Sequence, residues 1–213
     1  ATHSIRVVNL SIGTTAYDTW TNDPVCIKIK QLAEAGVVVI AAAGNLGKNA
    51  QGQKMYGQIH SPGNSPYAIT VGASNSLGTT ARNDDIMASY SSNGPTRSFY
   101  RTSNGTVVYD NLIKPDLVAP GNKLVSYKAP NNVMATANSA LNLATDLLAA
   151  DSDKNMYMSG TSMSAPVVAG AAALLLQVNP NLTPQMVRTI MQYTAQPIAG
   201  ANMFEQGAGQ LNM

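Results

Sequence analysis

Hydrophobic positions along this chain follow two periods. Residues 5–12 (IRVVNLSI) and 37–43 (VVVIAAA) are apolar or β-branched on both alternating faces, as in strands of a parallel sheet covered on both sides. Between them Val25, Ile29, Leu32 and Ala33 recur at helical spacing. Asn22 or Asp23 can cap that helix, Pro24 suits its first turn and Gly36 closes it. Cys26 shares the face of Ile29 and Ala33. Strand, helix, strand in this order predicts a right-handed crossover and an α/β architecture. Residues 68–72 (AITVG) predict a further strand, followed by a polar surface loop.

The rest of the chain is less regular. Phe99 and Tyr100, then Asn104-Gly105, then Val107 to Tyr109 form the pattern of a projecting β-hairpin. Short strands are expected at residues 114–120 and 124–127, and a small helix over 135–150 through Leu141, Leu143, Leu147 and Leu148. Residues 167–178 (VVAGAAALLLQV) are apolar on every side, which predicts a helix buried in mid-domain. Thr183 and Pro184 start a final helix to about Tyr193, with Met186, Val187, Ile190 and Met191 as its core stripe. Those methionines read as core, not as cofactor ligands.

Composition narrows the classes. A chain of 213 residues with 45% hydrophobic content can bury the core of one domain. Charged residues are 11% and the net charge is +2, so nucleic acid and anionic membrane are not expected partners. No run is expected to reach the roughly 18 apolar residues of a membrane span. Cys26 is the only cysteine, which excludes an intramolecular disulfide or a CxxC pair and leaves a buried structural thiol. Low charge and many small polar residues fit a secreted, extracellular hydrolase.

Candidate chemistry sits in Gly160-Thr161-Ser162-Met163-Ser164-Ala165-Pro166, directly before the apolar helix. There Ser162 would meet unpaired N–H groups and the positive end of a helix dipole. Alone, the string also reads as a polar helix cap. Together with Ala41-Ala42-Ala43-Gly44-Asn45 it resembles the subtilase family of serine proteases. The resemblance implies that Ser162 is the nucleophile and that the Asn45 amide, with the Ser162 N–H, holds the oxyanion. It implies a subtilisin-like three-layer α/β fold with a mainly parallel sheet, its N-terminal portion missing. Residues 1–213 would be one partial catalytic domain with insertions near 98–112 and 131–156.

Asn9-Leu10-Ser11-Ile12-Gly13 resembles the family's cleft strand, which pairs with substrate backbone. Ser11, Ile12 and Gly13 are thereby substrate-binding candidates, with Ala43, Gly44, Gly160 and Thr161. Ser61-Pro62-Gly63 resembles a pocket-side turn whose proline is usually cis. This puts His60 and Pro62 by the primary specificity pocket. Lys114-Pro115-Asp116-Leu117-Val118-Ala119-Pro120-Gly121 also matches a family segment, and Asp116 is expected to be a structural turn carboxylate.

A serine nucleophile needs a base, and the base an orienting group. The family supplies these from His-Gly-Thr-like and Asp-Thr-Gly-like motifs upstream of the cleft strand. Here His3-Ser4-Ile5 lacks the Gly-Thr continuation, and Asp18-Thr19-Trp20 lacks the glycine and follows that strand. His3 and His60 are the only imidazoles; each is expected at the surface or pocket wall, with a surrogate-base role as the alternative. The expected function is a serine endopeptidase acting through an acyl-enzyme on Ser162, inactive or weak as this chain. The alternatives are a truncated hydrolase or esterase with a non-standard base assembled in a dimer, and a non-catalytic binder of peptides or a partner. Expected partners are a polypeptide substrate and either the missing N-terminal half or a second copy, since an uncovered sheet edge seeks cover. No cofactor is required and no metal ligand is assigned. The resemblance leaves room for a structural calcium ion, while Asp84-Asp85 and Asp151 with Asp153 read as solvated carboxylates.

Overall fold

The computed structural model describes residues 4–143 and 155–213. The predicted crossover unit is present. Strand β1 (Val7–Leu10), helix α1 (Pro24–Glu34) and strand β2 (Val38–Ala42) follow one another. β1 and β2 pair in parallel, with Val7 opposite Val38 and Leu10 opposite Ala41. Asp23 is the cap: its Oδ1 accepts from Val25 N at 2.8 Å and Cys26 N at 3.1 Å. Its Oδ2 accepts from Ser61 Oγ at 2.5 Å, so the start of α1 is tied to the turn that carries His60.

β2 is buried along its whole length because it is covered twice. Val37, Val39 and Ala41 pack with Ile29 of α1. Val38, Ile40 and Ala42 face the opposite layer with Val168, Ala172, Val187 and Met191. The alternation follows the pleat. Strand β3 (Ile69–Asn75) pairs in parallel with β2 and with β7 (Leu117–Pro120), while β4 (Ile86–Met87) adds antiparallel to the end of β3. The order β1-β2-β3, continued by β7 and β4 from β3, makes the middle layer of three. β1 pairs with β2 alone among the described residues.

The hairpin expected around Asn104-Gly105 is β5 (Phe99–Arg101) with β6 (Val107–Tyr109), Phe99 opposite Tyr109. β8 (Leu124–Tyr127) pairs antiparallel with β9 (Asn155–Met158). The helix expected over residues 135–150 is corrected in its described part. Helix α2 covers only Val133–Ala137 and stops at Asn138, whose extended backbone starts a short 3₁₀ turn at Ser139–Leu141. The Asn138 side chain accepts from Ala140 N, a local bond that competes with helix continuation. Leu147, Leu148, Asp151 and Asp153 lie outside the described residues.

Helix α3 (Thr161–Val178) begins six residues earlier than the apolar run and includes the serine. Two expectations are corrected here. At 18 residues it is long and apolar enough to cross a membrane by composition, although it is a layer of this fold. It is also covered on one side only. Ala165, Val168, Ala172 and Leu176 are buried against the sheet, whereas Val167, Leu174 and Val178 are exposed, Val178 at 87%. Uniform apolarity gave no sign of which face the sheet would take. In α4 (Pro184–Thr194) Val187 and Met191 are fully buried, but Met186 is 52% exposed. A short α5 (Met203–Gln206), capped by Asn202 and Glu205 reciprocally, follows the helix expected to be last.

Three polar groups are settled by burial. Asp116 is buried and accepts from Thr70 N and Lys114 Nζ, each at 2.6 Å, as its structural reading requires. Burial pulls the Lys114 ammonium down to about 8. Asp85 is not solvated: it is 6% exposed and accepts from Gln210 Nε2 at 2.5 Å. Cys26 is fully buried, donates to Asn64 Oδ1 at 3.3 Å, and is pushed up to about 12 by burial and by Asp23. That makes it an inert core thiol.

Candidate active site

The carboxyl ends of β1 and β2 and the amino end of α3 converge, the crevice where open α/β sheets place their ligands. Ser11 follows β1, Asn45 follows β2, and Ser162 lies in the first turn of α3. The N-cap of α3 is Gly160, which has no side chain to satisfy the first N–H groups. Asn45 does so from 116 positions away. Its Oδ1 accepts from Thr161 N at 2.9 Å and from Thr161 Oγ1 at 3.1 Å. A backbone N–H can only donate, so the oxygen of the amide must face it. The Nδ2 group is thereby turned outward, on an exposed residue, 3.4 Å from where a side chain on Gly160 would begin.

Ser162 and Ser11 bond reciprocally. Ser162 Oγ donates to the Ser11 carbonyl at 3.2 Å, and Ser11 Oγ donates to the Ser162 carbonyl at 2.7 Å. The plain cap reading of residues 160–164 is not what the geometry shows, because no side chain of that segment caps its own helix.

A cavity of about 420 Å³ is lined by Ser11, Ile12, Gly13, Gly44, Asn45, His60, Thr161 and Ser162. Most sequence-predicted site residues therefore meet in one place. Three do not line it. Ala43 is fully buried and its carbonyl accepts from His60 N at 2.9 Å. Pro62 is buried, across a cis bond from Ser61. Gly160 is buried beside Asn45 Nδ2.

His60 packs between two glycines. A Cβ on Gly44, whose φ is +109°, would stand 2.8 Å from His60 Cγ, and one on Gly13 would stand 3.1 Å from His60 Cβ. Any larger residue at 44 would displace the ring. The His60 Nε2 atom is buried without a partner, and burial lowers the basicity of the ring. Ser162 Oγ makes its bond to Ser11 and not to His60. His3 lies outside the described residues. Among the described residues, no group of three or more His, Cys, Asp or Glu side chains could hold a metal ion.

Sequence reasoning missed a second cavity at Ser162. It holds about 540 Å³ and is lined by β8, α2, β9 and the first turns of α3. It shares Ser162 with the first cavity and no other residue. Only the concentration of methionine in residues 134–163 hinted at it.

A three-layer α/β fold with a serine in the first turn of a core helix, faced by an oriented amide across a cleft, defines a serine-hydrolase class of protein. The sequence pattern of the subtilase family matches residues 1–209, and the chain belongs to that family. It is 35% identical over 210 residues to the serine protease AprX of Bacillus subtilis (strain 168), covering 98% of this chain and 42% of that protein. It is 28% identical over 212 residues to the membrane-bound transcription factor site-1 protease of Rattus norvegicus, covering 98% of this chain and 16% of that one. The chain thus spans less than half the length of these curated relatives. The structure of the prenylagaramide maturation protease PagA superposes with a TM-score of 0.64 at 24% identity, covering 97% of this chain and 59% of that chain. That likeness bears on the fold, which is the expected subtilisin-like one.

Proposed function

We propose that this chain carries the nucleophile and oxyanion half of a serine endopeptidase centre. One observation carries the reading: Thr161 clamps the Asn45 amide so that its N–H₂ shares a cavity with Ser162. In the reaction the Ser162 Oγ bonds to the substrate carbonyl carbon and its proton passes to a base. The oxyanion rests on Asn45 Nδ2 and the Ser162 N–H. The C–N bond then breaks, and the amine leaves with the proton. Water reverses these steps to release the acid.

The base and its orienting carboxylate come from a polypeptide segment outside these 213 residues. Three features support that part of the reading. The Ser162 hydroxyl rests on a backbone carbonyl, which cannot take its proton. His60 is wedged between glycines, and burial disfavours its protonation. The outer face of α3 exposes Val167, Leu174 and Val178, and Ile5 is exposed just before β1, apolar surface that a covering segment would bury. The low charge agrees with an extracellular protease.

Intact-mass spectrometry after exposure to a fluorophosphonate tests the reading, with Ser162→Ala in parallel. The expected result is a slow, single adduct on the wild-type chain, absent from the mutant, and faster once the complementing segment is added. No adduct with the complement present would overturn the proposal. A fast adduct without it would favour a self-sufficient esterase based on His3 or His60.

A further inference from the structure

Two Asn-Gly pairs occur in the chain, Asn93-Gly94 and Asn104-Gly105, and the fold treats them oppositely. Asn93 is 4% exposed, and its Nδ2 donates to the Met55 carbonyl at 2.7 Å. Gly94 N donates to the Phe204 carbonyl at 2.8 Å, and a Cβ there would stand 2.1 Å from the Lys114 carbonyl oxygen. That peptide is locked in place. Asn104 and Gly105 instead form the exposed tip of the β5–β6 hairpin. Gly105 has a φ of +82°, and nothing beyond its own chain neighbours lies within 4 Å of where a side chain would begin.

The tip also arranges the Asn104 amide. Its Oδ1 accepts from Thr106 N at 3.2 Å, which folds the side chain back over the Gly105 peptide. Thr102 Oγ1 donates to the same oxygen. Two donors on one carbonyl oxygen make its carbon more electrophilic and stabilise negative charge that develops on the oxygen. The neighbouring nitrogen belongs to a glycine, so no side chain obstructs its approach. Its N–H donates to the Thr102 carbonyl at 2.9 Å, a surface bond that water can replace. We propose that Asn104 is a site of spontaneous backbone modification, through a cyclic imide formed with Gly105. A solvent base takes the Gly105 N–H proton, and the nitrogen bonds to Asn104 Cγ. The Cγ–Nδ2 bond breaks, and the leaving nitrogen takes a proton from water and departs as ammonia. Water then opens the ring at either carbonyl, giving aspartate or isoaspartate at position 104. Aspartate sets a carboxylate near Arg101, whose Nη1 donates to the Gly105 carbonyl at 3.4 Å. Isoaspartate also adds an atom to the main chain inside the turn, which misaligns the 3.0 Å bond from Thr102 N to the Thr106 carbonyl. Asn93 is spared, because its amide and the Gly94 N–H would first have to give up buried bonds.

Mass spectrometry reads the modification directly. The 213-residue chain is held in mildly alkaline heavy-oxygen water and then digested with trypsin, which leaves Asn93 and Asn104 in different peptides. Fragmentation spectra locate the new carboxyl group, and an isoaspartate methyltransferase measures the isoaspartyl share. Conversion is expected at Asn104, with heavy oxygen incorporated and isoaspartate present beside aspartate, at least about tenfold faster than at Asn93. In urea, where neither site keeps its fold, the two should convert at similar rates. Thr102→Val keeps the shape of the side chain and removes its donor, and should slow conversion at Asn104 about threefold. Thr102→Ser restores the donor and should convert like the wild type. Aspartate without isoaspartate, equal conversion at the two sites of the folded chain, selectivity that persists in urea, or an unchanged rate in Thr102→Val would overturn the proposal.

Discussion

The two faces of α3 have nearly the same composition and opposite circumstances. Ala165, Val168, Ala172 and Leu176 are sealed against the sheet, while Val167, Leu174 and Val178 stand in water. The groups of the proposed centre divide in the same way. On the oxyanion side the Asn45 amide has both its position and its orientation set by Thr161. On the base side Ser162 Oγ has only the Ser11 carbonyl. Inner and outer faces therefore differ in burial: the inner face is sealed against the sheet, and the outer face is the one the proposed complement would cover.

The most severe test is a charge on the inner face. Val168→Asp should cost more than about 4 kcal/mol and abolish the cooperative thermal transition, because an unpaired carboxylate would be buried. Survival of that transition would show that the sheet does not depend on α3. Next in size is Asn45→Ala. Loss of a comparable donor in a subtilisin lowers turnover ~10²–10³-fold, and a drop of that order is expected in the rate of Ser162 labelling with the complement present. The same change removes the remote cap and should lower the unfolding free energy by about 1 kcal/mol. A drop in labelling below about threefold would mean that Asn45 only caps the helix.

Leu174→Asp on the outer face is expected to change stability by no more than about 0.5 kcal/mol while weakening binding of the complementing segment. A stability loss like that of Val168→Asp would erase the distinction between the faces. The smallest effect concerns pH. Burial lowers the His60 pKa, so the folded chain binds fewer protons there than the unfolded one. The stabilisation is present above the ordinary histidine pKa and is lost as pH falls through the lowered one. His60→Gln should therefore flatten the decline of the urea midpoint below about pH 6.5. An identical slope in both proteins would count against a buried neutral imidazole.

Much of this was written in the sequence, for reasons that can be located. β2 was legible because all seven residues from 37 to 43 are apolar, which only a doubly covered strand requires. The family was legible because the motifs flanking Ser162 and Asn45 are specific. The clamp between Asn45 and Thr161 was not, since its partners stand 116 positions apart and periodicity reports only local order. The burial of Asp85 was hidden for the same reason: its partner is Gln210, far along the chain. The methionine cavity is assembled from strand, short helix and core helix, and no one of these segments reads as a binding motif.

The remote cap has a consequence for the order in which this molecule becomes dangerous. Asn45 is synthesised long before Thr161, and its amide gains a direction only after that long loop has closed. Until then the serine helix starts at a bare glycine, and the asparagine points nowhere in particular. In the proposed centre the oxyanion donor is therefore oriented only once residues 116 positions apart have met, so a chain still lacking Thr161 holds Asn45 without a direction.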